Sequence, residues 1–169
     1  WQETSREERT LLVDGSGAPA RSADVALTGD TITAVEPAGT IAASSATESI
    51  DADGLLLTPG FVDMHTHYDA QVTWDPYVTP SGWHGVTTVV MGNCGVGFAP
   101  SAPDQHQALI EMMESVEDIP GTALTAGLQW GWVSYPEYLD VLEQMPRVMD
   151  VASQIGHCPL RVYVMGDRG

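Results

Sequence analysis

The segment Thr58-Pro-Gly-Phe-Val-Asp-Met-His-Thr-His67 constrains this chain more than any other stretch. It reads as a short apolar strand launched by a Pro-Gly turn and finished by two histidines two residues apart. Strand side chains alternate between faces, so His65 and His67 are expected to project from one face. Two imidazoles converging at a strand end can hold a divalent metal. His-x-His alone also occurs on solvated strands; the apolar approach and the turn make the pattern specific.

A second strand is expected in Gly85-Val-Thr-Thr-Val-Val-Met-Gly-Asn-Cys-Gly95, which is β-branched and apolar before its Gly-Asn-Cys-Gly turn. The glycines allow close backbone approach, and the turn presents Cys94 where the strand stops. A free cysteine usually packs as a small buried hydrophobe, and from the residues alone that reading stays open for Cys94.

Around these strands the pattern is strand, loop, helix. Ser101-Ala-Pro-Asp104 predicts a helix start with a capping box and an early proline. Leu109, Met112, Met113 and Val116 follow at i, i+3, i+4 and i+7, so the methionines read as core. Ser134-Tyr-Pro-Glu137 predicts a second helix, with Leu139, Leu142 and Met145 on its apolar face and Pro146 at its end. Asp150 to His157 reads as a third strand. Strands alternating with helices imply parallel pairing and right-handed crossovers.

Residues 1–58 read as a small β subdomain and 59–169 as the start of a larger α/β unit. Within the first, Asp24–Thr28 and Thr31–Val35 form a hairpin across Gly29-Asp30, Ala38–Ser49 is a loop, and Ile50–Leu57 runs through a turn into another short strand. Two decoys sit here. Gly15-Ser-Gly-Ala-Pro-Ala20 fits a dinucleotide fingerprint but is followed by no amphipathic helix, and Asp51-Ala-Asp-Gly54 lacks the later acidic ligands of a calcium loop. Both read as turns.

The other ionisable residues divide by position. His84 precedes the second strand and His106 lies in the first turn of an acid-rich helix, so both read as structural or solvated. Glu111, Glu114, Glu117 and Asp118 read as a solvated helix face. His157 follows a strand at the end where barrel active sites are built, and is a candidate for polarising a substrate carbonyl.

Taken together, the two strand motifs, Tyr68-Asp-Ala-Gln-Val-Thr-Trp-Asp-Pro76, Val116-Glu-Asp-Ile-Pro120 and Leu160–Gly166 resemble the N-acyl-D-amino acid deacylase (D-aminoacylase) branch of the amidohydrolase superfamily. The resemblance runs from about Val13 to Gly169. It implies the N-terminal part of a (β/α)8 metal-dependent hydrolase barrel, preceded by a small, incomplete β-sandwich subdomain. It also implies one or two Zn2+ ions, with His65, His67 and Cys94 as metal ligands. The implied reaction is hydrolysis of a small-molecule N-acyl-D-amino acid to a carboxylate and a D-amino acid. The catalytic Asp and further metal-binding histidines are implied on later strands. Cyclic-amide hydrolysis of the hydantoinase or dihydroorotase type is the runner-up, disfavoured by the Gly-Asn-Cys-Gly motif; a non-catalytic truncated remnant is the other alternative. All six basic residues are arginine, so this segment supplies no carboxylated lysine to bridge two metals, whereas a Cys94 thiolate could take an equivalent place.

At 169 residues the chain falls short of the roughly 250 of a full barrel, and about three barrel strands are expected to be inactive alone. We read it as the N-terminal part of a longer enzyme or a truncated gene product, and its first dozen residues, which do not match the resemblance, as a misassigned start or a frameshift. The net charge of −17 argues against nucleic-acid binding. There is no apolar run of membrane-spanning length and no secretory signal, so a cytoplasmic location, no membrane partner and unpaired Cys94 and Cys158 are expected.

Overall fold

The computed structural model describes residues 10–169, and the departure expected in the first dozen residues falls almost wholly outside that span. The chain divides into two compact units between Pro59 and Gly60.

In the first unit, strands β1 (Leu11–Leu12), β2 (Arg21–Thr28), β3 (Thr31–Pro37) and β4 (Leu56–Leu57) form a sheet of order β3-β2-β1-β4. The β2–β3 hairpin turns at Gly29, whose φ of 63° suits a tight hairpin. Strand β1 runs antiparallel to β2 and parallel to β4. Both decoys are turns. The Asp14 carboxylate accepts from the Ser16 N–H and hydroxyl, and the Asp53 N–H donates to Asp51.

The second unit is mixed α/β. Strands β5 (Phe61–Asp63), β6 (Val86–Met91) and β7 (Asp150–Ser153) lie parallel in the order β5-β6-β7. Parallel neighbours cannot be joined by a tight hairpin, so the intervening chain must cross over. Between β6 and β7 it does so through α1 (His106–Glu117), α2 (Gly121–Gly127) and α3 (Tyr135–Glu143). Between β5 and β6 the crossover is instead a loop with 3₁₀ turns at Gln71–Thr73 and Ser81–His84, a departure from strict strand–helix alternation. Helix α4 (His157–Met165) follows β7. Gly60 begins the sheet where β6 comes closest: a Cβ there would lie 2.1 Å from the Thr87 side chain.

The main core joins Met91, Phe98, Leu109, Met113, Leu124, Trp132, Tyr138 and Leu142. Its composition corrects the helix faces in detail. Met113 is buried as expected, but Ile110 takes the place assigned to Val116, which is 44% exposed. On α3, Leu142 is buried as expected, whereas Leu139 is 41% exposed and Tyr138 is buried instead. Tyr138 can enter because its hydroxyl donates to the Asp69 carbonyl at 2.8 Å, so no polar group is stranded.

Helix starts are partly as expected. Ser134 and Glu137 form the predicted reciprocal box on α3. Ser101 does not cap α1; its hydroxyl points to the Ala102 carbonyl, and Gln105 accepts from the Ala102 N–H after Pro103 opens a 3₁₀ turn. Strand β7 stops at Ser153, four residues short of the expectation, because Gly156 and Pro159 start α4.

The loop after β5 is held by Asp75, which accepts from Gln71, the Thr79 N–H and hydroxyl, and the Tyr77 N–H. Partial burial pushes its pKa up, but these bonds outweigh burial and hold it at about 2. That lies below the ordinary carboxylate value of 3.8, so the stabilisation is present above 3.8 and lost as pH falls through about 2. Asp75→Asn should cost about 1 kcal/mol at neutral pH. The gap in thermal midpoint between variant and wild type should close over that acid range.

Candidate metal centre

The site begins with the pairing of β5 and β6. Strand β5 ends at Asp63, and the chain runs on past the C-terminal end of β6. There Thr66 turns inward and is buried, its N–H and hydroxyl both donating to the Val90 carbonyl at 3.1 and 2.9 Å. With Thr66 held inside, His65 and His67 on either side of it turn their Nε2 atoms to within 3.3 Å of each other. The histidines lie just beyond the strand, after the chain bends at Met64–His65 and the His65 N–H donates to the Asp63 carboxylate. Their rings stack at 5.4 Å.

Cys94 arrives from β6. Gly92, Cys94 and Gly95 have φ values of 78°, 55° and 78°, all in the left-handed region. For cysteine that conformation is strained, and such strain persists only where the surroundings impose it. Here they do. A Cβ on Gly92 would lie 2.0 Å from the Gln154 carbonyl oxygen, so no side chain fits. The Gly92 N–H donates to buried Asp69, and the Asn93 side-chain amide donates to the Met64 and Val90 carbonyls at 2.8 and 2.9 Å. The thiol is thereby turned outward towards the histidines.

The structure brings His65, His67 and Cys94 together. His65 Nε2 lies 3.0 Å from Cys94 Sγ and 3.3 Å from His67 Nε2, and one donor atom from each residue falls within 4.8 Å of the others. Donors around tetrahedral zinc, at roughly 2.0–2.3 Å from the ion, stand about 3.3–3.7 Å apart. Two of the spacings here, 3.0 and 3.3 Å, lie at or just below the short end of that range and the third is no more than 4.8 Å, so two imidazole nitrogens and a sulfur are gathered as the donors of such an ion would be. Among the described residues Cys94 and Cys158 are both free, and Cys94 is exposed rather than packed in the core.

Sequence reasoning mistook one residue. Glu117 is not on a solvated face: its Oε1 contacts His67 Nδ1, and both side chains are only 21% exposed. Glu111, Glu114 and Asp118 are exposed, as expected. The sequence held only a faint hint, since an acid in the last turn of a helix opposes the helix dipole, and nothing local named its partner. Asp69 was also unremarked. Burial pushes its carboxyl up to about 6, against the opposing pull of the Gly92 N–H and His67.

The remaining histidines sort clearly. His84 ends the 3₁₀ turn ahead of β6, away from the cluster. His106 opens α1 and stacks on Trp130 with ring centroids 3.6 Å apart. Burial holds its pKa below the ordinary value, against the pull of Asp104. His157 is the first residue of α4, exposed, and its Cβ packs against Gly95; it neighbours the Cys94 turn without joining the three clustered donors.

The comparisons with known proteins agree in direction with this geometry. The model of the amidohydrolase family matches residues 48–169, and the chain belongs to that family. More particularly, it is 35% identical over 156 residues to a D-aminoacylase from Alcaligenes xylosoxydans xylosoxydans, covering 92% of this chain and 29% of that protein. Its backbone matches a D-aminoacylase structure described for its binuclear metal center, with one-metal activation and second-metal attenuation. The TM-score is 0.69 at 35% identity, over 95% of this chain and 31% of the other. It also matches an N-acyl-D-glutamate deacylase from Bordetella bronchiseptica complexed with zinc and a phosphonate inhibitor, with TM-score 0.70 at 31% identity over 94% and 30% of the two chains. The chain thus spans less than a third of the length of these relatives. Among the described residues no helix is long and apolar enough to cross a membrane.

Gly92 gives a direct test of how the thiol is held. Gly92→Ala must relieve both a positive φ and the clash with Gln154, and should destabilise the protein by more than about 2 kcal/mol in denaturant unfolding. A variant as stable as wild type would show that the turn does not require glycine at this position.

Proposed function

We propose that this chain is the metal-binding N-terminal part of a zinc-dependent hydrolase that cleaves the amide of N-acyl-D-amino acids, yielding a carboxylate and a D-amino acid. The observation that carries the reading is the convergence of His65, His67 and Cys94 at the ends of two neighbouring parallel strands, in a chain similar to D-aminoacylases. In this reading β5, β6 and β7 are the first three strands of a (β/α)8 barrel, and the four-stranded sheet is part of a β-sandwich. The likeness to two deacylase structures at TM-scores of 0.69 and 0.70 supports it.

His65, His67 and Cys94 would hold one Zn2+ or share in holding two. When bound, the ion supplies Lewis-acid polarisation of the amide carbonyl and of the attacking water. The protein's own part is positional. The Thr66–Val90 and Asn93–Met64 hydrogen bonds fix both histidines relative to the thiol before any metal arrives, so little reorganisation is needed. His157, the first residue of α4 and packed against Gly95, would be the group that polarises a substrate carbonyl; its nearness to the Cys94 turn supports that role. The resemblance implies that the proton-handling carboxylate and further metal-binding histidines lie in the part of the relatives that this chain does not span. The 169 residues alone would accordingly bind metal but turn over no substrate. Linear rather than cyclic amides are favoured by the Cys94 turn and by the relatives' named activities.

In the full-length protein, Cys94→Ala should remove bound zinc and reduce release of free amine from N-acetyl-D-amino acids by roughly a hundredfold or more, with N-acetyl-L-amino acids poor substrates throughout. Metal analysis with full zinc occupancy and unchanged turnover in that variant would return Cys94 to a packing role. The zinc-loaded 169-residue chain should release no measurable amine; turnover matching an intact deacylase would overturn the expected dependence on the rest of the barrel.

A further inference from the structure

We propose that Glu117 is a positioning residue for the metal centre: its carboxylate holds His67 with the proton on Nδ1, so that Nε2 is presented as the metal donor. This rests on the metal reading above. His67 has two ring nitrogens, and the structure gives them different partners. Nδ1 faces Glu117 Oε1, while Nε2 faces His65 Nε2 at 3.3 Å, within the donor cluster. An ionised carboxylate only accepts, so its partner nitrogen must carry the hydrogen. In the neutral ring that leaves the lone pair on Nε2. A carboxylate behind a ligating imidazole fixes the ring's tautomer and rotation and raises its basicity.

The placement of Glu117 supports a dedicated role. It is the last residue of α1, where the helix dipole disfavours an anion, and Asp118 immediately after it turns left-handed at φ 54°. An acid retained at that end needs a positive or hydrogen-donating partner, and His67, 50 residues earlier in the chain, supplies it. Glu111 and Glu114 on the same helix are exposed and do not reach the histidines. Position on the helix is therefore not enough; the end of α1 is aimed at this ring.

The test measures zinc affinity by competition with a chromophoric chelator, for the wild-type chain and for Glu117→Ala, Glu117→Gln and Glu111→Ala. Glu117→Ala should weaken zinc binding by about 10–100-fold, with Glu117→Gln, which keeps an acceptor but loses the charge, in between. Glu111→Ala should stay within about twofold of wild type, because exposed charges at that distance are screened. Nitrogen NMR of the metal-free chain supplies a readout independent of metal. His67 should be protonated on Nδ1 in the wild type and shift towards a mixture of tautomers in Glu117→Ala. Wild-type affinity in a folded Glu117→Ala chain, or an equal loss in Glu111→Ala, would overturn the proposal. If Glu117→Ala does not fold, the near-isosteric Glu117→Gln decides, and wild-type affinity there would also overturn it. A wild-type chain that takes up no zinc overturns the metal reading itself. A wild type that binds and Glu117 variants that bind equally well overturn only the role of Glu117.

Discussion

The site depends on one carbonyl. The oxygen of Val90, at the end of β6, gathers the Thr66 N–H, the Thr66 hydroxyl and the Asn93 side-chain amide within about 3 Å. Thr66 lies between the two histidines and Asn93 precedes the cysteine. These bonds therefore tie the chain carrying the imidazoles to the chain carrying the thiol. Without them, His65 and His67 would extend from a three-residue strand with little to fix their angle to the Cys94 turn. Thr66 is buried, so its hydroxyl and N–H lose water on folding and must find partners, which gives the linkage its specificity.

A second layer holds the first. Asp69 is buried beneath the site, with its carboxylate on the Gly92 N–H and its carbonyl on the Tyr138 hydroxyl. The Gln154 N–H donates to the Met91 carbonyl, bringing the end of β7 against Gly92 so closely that only glycine fits. The left-handed Cys94 is thus pressed from both sides by elements anchored in the main core. The strain of that conformation is carried by packing, not by the turn's own propensity.

Much of this was legible in the sequence, for identifiable reasons. His65 and His67 stand two positions apart, and neighbours that close in sequence stay close in space even though the chain bends just before them. The Gly-Asn-Cys-Gly turn and the Ser134–Glu137 box are local chemistry read at fixed offsets. Failures came where tertiary partners overrode local pattern. Tyr138 displaces Leu139 because a hydroxyl found a carbonyl 69 residues away. Helix α2 (Gly121–Gly127) has glycine at both ends, which weakens any helical signal, and Gly127 is needed because the Trp74 ring packs against it. Helix α4 was hidden by His157, which looked like the tail of a strand. Glu117 was hidden most thoroughly, since helical periodicity puts it among solvated acids and only the fold brings the end of α1 to His67.

That last contact bears on how so acidic a chain would, under the proposed function, offer a metal site of defined charge. With a net charge of −17, cations are attracted to the surface in general, and attraction alone would not select one place. The donor set resolves this by chemistry more than by charge. Two neutral imidazoles and one thiolate favour zinc over calcium or magnesium, which prefer oxygen. Behind them, the Glu117 carboxylate contacts His67 Nδ1 and stays out of the donor cluster. In the proposed centre, a Cys94 thiolate and Glu117 behind His67 would together bring two negative charges towards a dication, without a carboxylate oxygen in the donor set. An acid directly among the donors would have shifted the preference towards harder ions. Set one ring away, it would keep the selectivity of nitrogen and sulfur while still balancing a bound ion's charge.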